Sequence, residues 1–336
     1  MLRTAAGLKV TDIRKMVASL RRLGFRAGKG ATGAPFPAAA WRGLPWGTII
    51  SGFAVGEKIS SGTRTGELCL RVYVRRKVAK SRLAAGSGIP AKIEIRRGGA
   101  QFTFVTDVVE LRNDPEAHRV TGAMAAIGSF TGMTDGTLGL AVISQAGDKF
   151  ALTCRHVVAL WDRNPNGDAI ESPPDPDGQA GVNTIGNVFS WTRLAPNTLH
   201  ISDAALVSPG TGITLSNEPL RLQAGAAFGN LTLGEFMAQP RVRVQTFTRR
   251  KVVNGTVGSM HNHFTVAFMG NRFHFQDVVE VTYDDEVMGG DSGAAVVQTN
   301  TRQVLGLHFA GSGRTGYFVT AQSILQVFSG FGLRPL

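Results

Sequence analysis

Met288-Gly289-Gly290-Asp291-Ser292-Gly293-Ala294-Ala295-Val296 sets a serine between small residues and an aspartate, with an apolar run on its C-terminal side. Glycines let the backbone take φ > 0 and let another chain come close. The amide N–H groups of Gly290 and Ser292 can then converge on a developing oxyanion. The run Ala294 to Val297 reads as a buried strand. Taken alone, the stretch fits a nucleophile on a tight turn and a plain glycine turn between strands equally well, so the rest of the chain decides.

Two upstream segments bear on it. Leu152-Thr153-Cys154-Arg155-His156-Val157-Val158 ends a strand in a histidine, and Ser202-Asp203-Ala204-Ala205-Leu206-Val207 puts an aspartate at the head of an apolar strand. The chain order is His, Asp, Ser. A serine hydroxyl is a poor nucleophile until an imidazole takes its proton, and the imidazole needs a carboxylate to fix its tautomer and stabilise its charged form. His156 would be the general base and later the acid, Asp203 its orienting partner and Ser292 the nucleophile, while Asp291 anchors the loop. The competing account gives them separate duties as a core histidine, a strand-capping aspartate and a turn serine.

Around these residues the pattern is of short strands between Gly, Asn, Asp and Pro turns. Leu138 to Ser144 and Phe150 to Thr153 predict a hairpin closed by Gln145-Ala146-Gly147-Asp148. Further strands are expected at 184–191, 204–207, 242–247, 252–260, 264–268, 278–282, 294–297, 304–309 and 316–320, with a helix over 321–328. Many strands and one late helix describe a mainly β body, a double barrel or sandwich.

Thr153 with His156, then Asp203, Ala205 and Leu206, then Gly290-Asp291-Ser292-Gly293 resemble the Thr-Ala-Ala-His, Asp-Ile-Ala-Leu and Gly-Asp-Ser-Gly-Gly-Pro motifs of the chymotrypsin-fold (trypsin-like) serine peptidases. The resemblance covers roughly residues 122 to 330 and implies a double β-barrel with a His156–Asp203–Ser292 triad and an oxyanion hole at Gly290 and Ser292. It departs from secreted members at Val157, where they carry a cysteine, and at Ala294-Ala295, where they carry Gly-Pro. No Ile-Val-Gly-Gly-like segment is available for zymogen activation, so any activation would work through loop ordering or a partner.

The resemblance also implies a specificity pocket lined by Glu286 and by His308, Phe309, Ala310 and Gly311, and these cues conflict. Glu286 falls where trypsin-like members carry the aspartate that selects Lys or Arg. Gly306-Leu307-His308-Phe309-Ala310-Gly311 is similar to the Gly-x-His-x-x-Gly of viral main proteases and glutamate-specific members, whose histidine binds an acidic or amide side chain. As alternatives, Glu286 is an exposed loop acid and His308 a core histidine. The net charge of +12 leans toward acidic substrates.

Residues 1–37 read as a basic amphipathic helix and linker. Thr11 caps Ile13, Met16, Val17, Leu20 and Leu23 at helical spacing, opposite Arg14, Lys15, Arg21 and Arg22. That face suits docking on an acidic regulatory protein partner or an anionic membrane, or packing on its own protein. Residues 38–118 read as a small α/β module, with strands at 67–74, 89–95 and 102–111 and a short helix at 80–85. Its order is similar to the N-terminal region of bacterial trypsin-like peptidases whose barrels are cytosolic. Residues 119–336 form the peptidase-like domain.

Composition bounds the rest. A hydrophobic fraction of 43% and 42 glycines suit a globular, turn-rich chain, and no apolar run is long enough to cross a bilayer. Two distant cysteines, Cys69 and Cys154, exclude a disulfide framework and fit a reducing, cytoplasmic setting. Basic clusters at Arg75-Arg76-Lys77, Arg96-Arg97 and Arg249-Arg250-Lys251 lack the aromatic ladder of a nucleic-acid site and read as solvated faces. His261 and His263 alternate, as two ligands on one side of a strand would, but no third ligand accompanies them, and His274 reads as a strand residue. No metal and no cofactor is expected. The expected function is serine endopeptidase action on protein or peptide substrates. The alternatives are a peptidase-fold scaffold with a non-productive groove and a protease gated by an anionic ligand such as nucleic acid.

Overall fold

The computed structural model describes residues 50–60, 63–74, 91–97, 100–110, 126–129, 135–160, 164–172, 184–223, 225–238, 242–268 and 270–336, with positions 77 and 89. The helices expected at 11–23 and 80–85 lie outside these residues. The chain divides into two compact units: residues 1–114 with 232–241 and 258–265, and residues 115–231 with 242–257 and 266–336.

In the first unit β1 (Ile50–Ser60) and β2 (Thr63–Val74) form a hairpin, and β3 (Lys92–Arg97) and β4 (Ala100–Glu110) form another, with β4 parallel to β2. β1 was not foreseen. Every residue from Leu68 to Val74 is buried, Arg71 included, so β2 is covered on both faces. Arg71 satisfies its guanidinium on the Glu57 carbonyl, from Nε at 3.1 Å and Nη2 at 2.7 Å, passing over Gly56, where a Cβ would stand 3.0 Å from Nε. Residues 259–264 pair with β1, and the register steps from Phe53↔His263 to Val55↔Met260. The extra residue is taken up where His261 has φ 52°. That bulge breaks the alternation that would set His261 and His263 side by side, so the expected two-ligand face does not form. A short helix, Leu233–Ala238, opens on a reciprocal cap: Glu235 N–H to Thr232 Oγ1 at 3.1 Å and Thr232 N–H to the Glu235 carboxylate at 2.7 Å.

The second unit carries two sheets. The first comprises β5 (Ala126–Ser129), β6 (Asp135–Thr137), β7 (Leu140–Ile143), β8 (Lys149–Thr153), β9 (Ala169–Glu171), β10 (Thr184–Trp191), β12 (Ala205–Pro209) and β19 (Arg334–Pro335), in the order β19-β7-β8-β12-β10-β9-β5-β6. The β7–β8 hairpin is the one expected, its turn closed by Ser144 N–H to the Asp148 carbonyl and by Gly147 at φ 95°.

In the second sheet β13 (Arg243–Phe247), β14 (Val252–Phe268), β15 (Asn271–Tyr283), β16 (Ala295–Gln298), β17 (Val304–Ser312) and β18 (Thr315–Thr320) run β15-β18-β17-β16-β13-β14, and β14 pairs back onto β15 to close a ring. β11 (Leu199–His200) adds a parallel edge against His274 and Phe275. The ring is filled from the inward positions of each strand, among them Val244, Val281, Val296 and Phe318. The C-terminal helix, Ala321–Val327, is capped by Thr320, whose Oγ1 accepts Ser323 N–H at 3.1 Å. The fold is mainly β with two sheets, as expected. Among the described residues no helix is long and apolar enough to cross a membrane.

Candidate active site

β8 and β12 are antiparallel neighbours, with Ala205 opposite Thr153 and Leu206 opposite Leu152. That register brings the residues just beyond each strand end together. His156 sits in the single turn Arg155–Val158 that follows β8, and Asp203 precedes β12. His156 Nδ1 lies 2.5 Å from one Asp203 oxygen, and the His156 backbone N–H donates to the other at 3.1 Å. Thr192 braces the next residue, its Oγ1 accepting Ala204 N–H at 3.0 Å. Burial by itself would raise the Asp203 carboxyl, but the His156 imidazole and the two N–H bonds outweigh it and hold the group below its ordinary value. An ionised carboxylate only accepts, so the imidazole proton rests on Nδ1 and the Nε2 lone pair is left open. Among the described residues Nε2 has no hydrogen-bond partner. The Phe268 ring stands edge-on to the imidazole, centroids 5.4 Å apart.

The serine loop joins β15 to β16 and is held from beneath. Thr137 N–H donates to the Ser292 carbonyl at 2.7 Å and Thr137 Oγ1 to the Gly290 carbonyl at 2.8 Å. Approach this close needs glycine on both sides. A Cβ on Gly293, at φ 93°, would stand 2.2 Å from the Thr137 carbonyl oxygen, and one on Gly139 2.1 Å from that of Gly293. Asp291 is fully buried; one oxygen accepts Met288 N–H and Arg250 Nη2, both at 2.9 Å, so it anchors the loop as expected.

The cluster Arg249-Arg250-Lys251 is therefore not a solvated face. The Arg249 side chain, 1% exposed, pairs with Asp135 at 2.8 Å and reaches the Gly289 carbonyl, Arg250 is half-buried against Asp291, and Lys251, paired with Asp285, is the most exposed of the three. The guanidinium groups are drawn in because the loop buries a carboxylate and backbone carbonyls that need donors.

Ser292 itself is turned from the histidine. Its Oγ donates to the Phe309 carbonyl at 3.1 Å and makes no hydrogen bond to His156. Gly290 N–H and Ser292 N–H donate to no acceptor among the described residues. Ser292 has no exposed surface, and His156 and Asp203 are 2% exposed. The second unit thus brings the histidine and aspartate into contact and holds the serine loop ready, with the hydroxyl engaged elsewhere.

The residues of the expected pocket separate. Glu286 is exposed, its N–H bonded to Asp285. His308, Phe309, Ala310 and Gly311 are buried in β17 behind the serine, and Gly293 N–H donates to the His308 carbonyl at 2.8 Å. Tyr283 Oη lies 3.3 Å from His308 Nδ1 and 2.8 Å from Thr246 Oγ1. Burial pushes the Tyr283 hydroxyl far up, so it keeps its proton.

Cys154 Sγ, a ring nitrogen of His156 and an oxygen of the Asp203 carboxylate lie within 4.8 Å of one another. These atoms suit a proton better than a metal. The nitrogen and carboxylate already share a hydrogen bond, and burial, reinforced by Asp203, pushes the Cys154 thiol well up, where it donates to the His308 carbonyl at 3.4 Å. His274 is a strand residue in β15. Thr137, Asp135, Arg249, Arg250 and Tyr283 were missed as site residues. Only the Arg-Arg-Lys run carried a signal in sequence, and its charge gave no hint of which carboxylates it meets.

No protein-family model matches the chain, and no curated protein matches it. Among solved structures it is similar to Cellulomonas bogoriensis chymotrypsin, at 19% identity and TM-score 0.42, over 67% of this chain and 99% of that one. It is similar to Thermobifida fusca protease A at 16% identity and TM-score 0.42, over 66% and 97%. A human pathogenic astrovirus serine protease aligns at 14% identity and TM-score 0.28, over 61% and 94%. These are distant likenesses of chain path.

Proposed function

We propose that this chain is a serine endopeptidase acting through an acyl-enzyme on Ser292. The observation that carries the reading is the buried His156–Asp203 pair at 2.5 Å with an Nε2 that has no partner among the described residues. Rotation of the Ser292 hydroxyl from the Phe309 carbonyl to Nε2 prepares attack. The Oγ–H proton passes to Nε2 as Oγ bonds the scissile carbonyl carbon. The tetrahedral oxyanion is met by Gly290 and Ser292 N–H, and His156 then gives its proton to the leaving amine. Water repeats the sequence to release the acid. In this reading His308, with Tyr283 donating to Nδ1, recognises the side chain before the scissile bond, and Glu286 stays in solvent.

A second reading, a scaffold with a non-productive groove, is favoured by the Ser292–Phe309 bond and by the burial of all three residues. Buried free Cys69 and Cys154 suit action in the cytoplasm. Regulation by a partner at the basic segment 1–37 belongs to the same proposal. Cleavage of a peptide library by wild type, Ser292→Ala, His308→Ala and Glu286→Ala tests it. The expected result is cleavage after Gln or Glu that Ser292→Ala abolishes and His308→Ala redirects. Cleavage after Lys or Arg that Glu286→Ala removes would overturn the specificity, and cleavage surviving Ser292→Ala the mechanism.

A further inference from the structure

Each amide that would face an oxyanion shares a planar trans peptide with a carbonyl, and the C=O and N–H of such a peptide point in opposite directions. Fixing the carbonyl therefore aims the N–H. The Ser292 amide belongs to the Asp291–Ser292 peptide, whose carbonyl accepts Ala294 N–H at 3.1 Å, a local turn bond that needs no distant partner. The Gly290 amide belongs to the Gly289–Gly290 peptide. Among the described residues its carbonyl accepts from one side chain, Arg249 Nη2 at 3.4 Å. Two successive glycines can turn this peptide over without a Cβ clash, so its orientation is set by whatever holds the carbonyl.

Arg249 is itself fixed. Nη1 pairs with Asp135 at 2.8 Å, the backbone N–H donates to Thr137 Oγ1 at 3.3 Å, and the side chain is 1% exposed. The guanidinium also fills the space beside Gly290, where a Cβ would stand 2.1 Å from Cζ. Gly290 holds φ 85° against it.

We infer that Arg249, anchored by Asp135, is a positioning residue for the oxyanion site, holding the Gly289 carbonyl inward so that the Gly290 N–H faces the reacting carbonyl. The kinetic consequence rests on the peptidase reading; the orientation of the peptide does not.

Arg249→Met keeps the aliphatic stem and removes the donors. Its kcat is expected to fall by about 10²–10³, the loss of one oxyanion donor, with KM changed by no more than a few-fold. Affinity for a peptide boronate, which mimics the tetrahedral intermediate, falls in step. Asp135→Asn gives a smaller loss of the same kind, and Arg249→Lys recovers part of it; these two carry the test if Arg249→Met does not fold. Unchanged kcat in folded variants, or a loss confined to KM, overturns the inference. A crystal structure of a folded Arg249 variant decides it without turnover. A Gly289–Gly290 peptide turned over or divided between two orientations supports it, and one in its present orientation refutes it. A turned peptide in the variant, together with a wild type that binds no boronate, would reject the peptidase reading while leaving this positioning role in place.

Discussion

Among the described residues Arg250 is the single charged partner of a carboxylate that water does not reach. Asp291 is fully buried and, among the described residues, receives two donors, Arg250 Nη2 and Met288 N–H, both on Oδ2, while Oδ1 has no partner there. Arg250→Met retains the stem and leaves a buried carboxylate with one N–H. Removing one member of a fully buried pair costs about 3–5 kcal/mol. The Arg250 side chain is 29% exposed, so water enters once it is gone, and the discounted cost is about 2–3 kcal/mol. At roughly 2–4 °C per kcal/mol for a chain of this size class, Tm falls by about 5–10 °C. Urea unfolding of wild type, Arg250→Met, Asp291→Asn and the double variant measures it. Arg250→Met is expected to be the least stable of the four, because Asp291→Asn in its background removes the stranded charge. A loss below about 0.5 kcal/mol, the level of an ordinary surface substitution, or a double variant less stable than Arg250→Met, would refute the assignment of the pair.

Other outcomes follow from the same contacts. Gly293→Ala places a Cβ 2.2 Å from the Thr137 carbonyl oxygen at φ 93°; backbone must move, so at least about 1–3 kcal/mol of stability is lost, together with reaction at Ser292, and a stable, active variant would contradict the geometry. Asp203 is held below its ordinary carboxyl value. Its stabilising contribution is therefore complete above about pH 4 and lost as pH falls through the depressed folded value. The stability gap between wild type and Asp203→Asn should be constant at neutral pH and narrow below about pH 4; a gap that widens on acidification rejects the stated direction. Phe268→Ala removes the ring against His156, so small serine-directed reagents should react several-fold faster with no change in the His156–Asp203 contact. Slower reaction would show that the ring supports the imidazole instead of covering it.

Much of this was legible because strand periodicity is local. Thr184–Trp191 and the Phe150–Thr153 hairpin arm follow directly from alternation and turn residues, and the His156–Asp203 meeting follows once β8 and β12 are antiparallel neighbours. Long-range register was not legible. Nothing in sequence says that Arg249 meets Asp135, or that Thr137 reaches under Ser292, because those partners are far apart in the chain and specified by the packing of two sheets. β1 escaped notice because its stretch, with Gly52, Gly56, Glu57 and Lys58, breaks the alternation. Its buried Glu57 carboxylate meets the Gly66 N–H at 2.6 Å, a contact that exists only once the β1–β2 hairpin has formed. His261 and His263 misled because a bulge, invisible in a pattern of residue types, changes which side each faces.

The most direct measurement is mass spectrometry of the intact and digested protein after treatment with a fluorophosphonate. The account predicts one adduct, on the peptide containing Ser292, absent in Ser292→Ala and formed far more slowly in His156→Ala. No adduct in folded wild type and in Phe268→Ala, or an adduct on another serine, would contradict it.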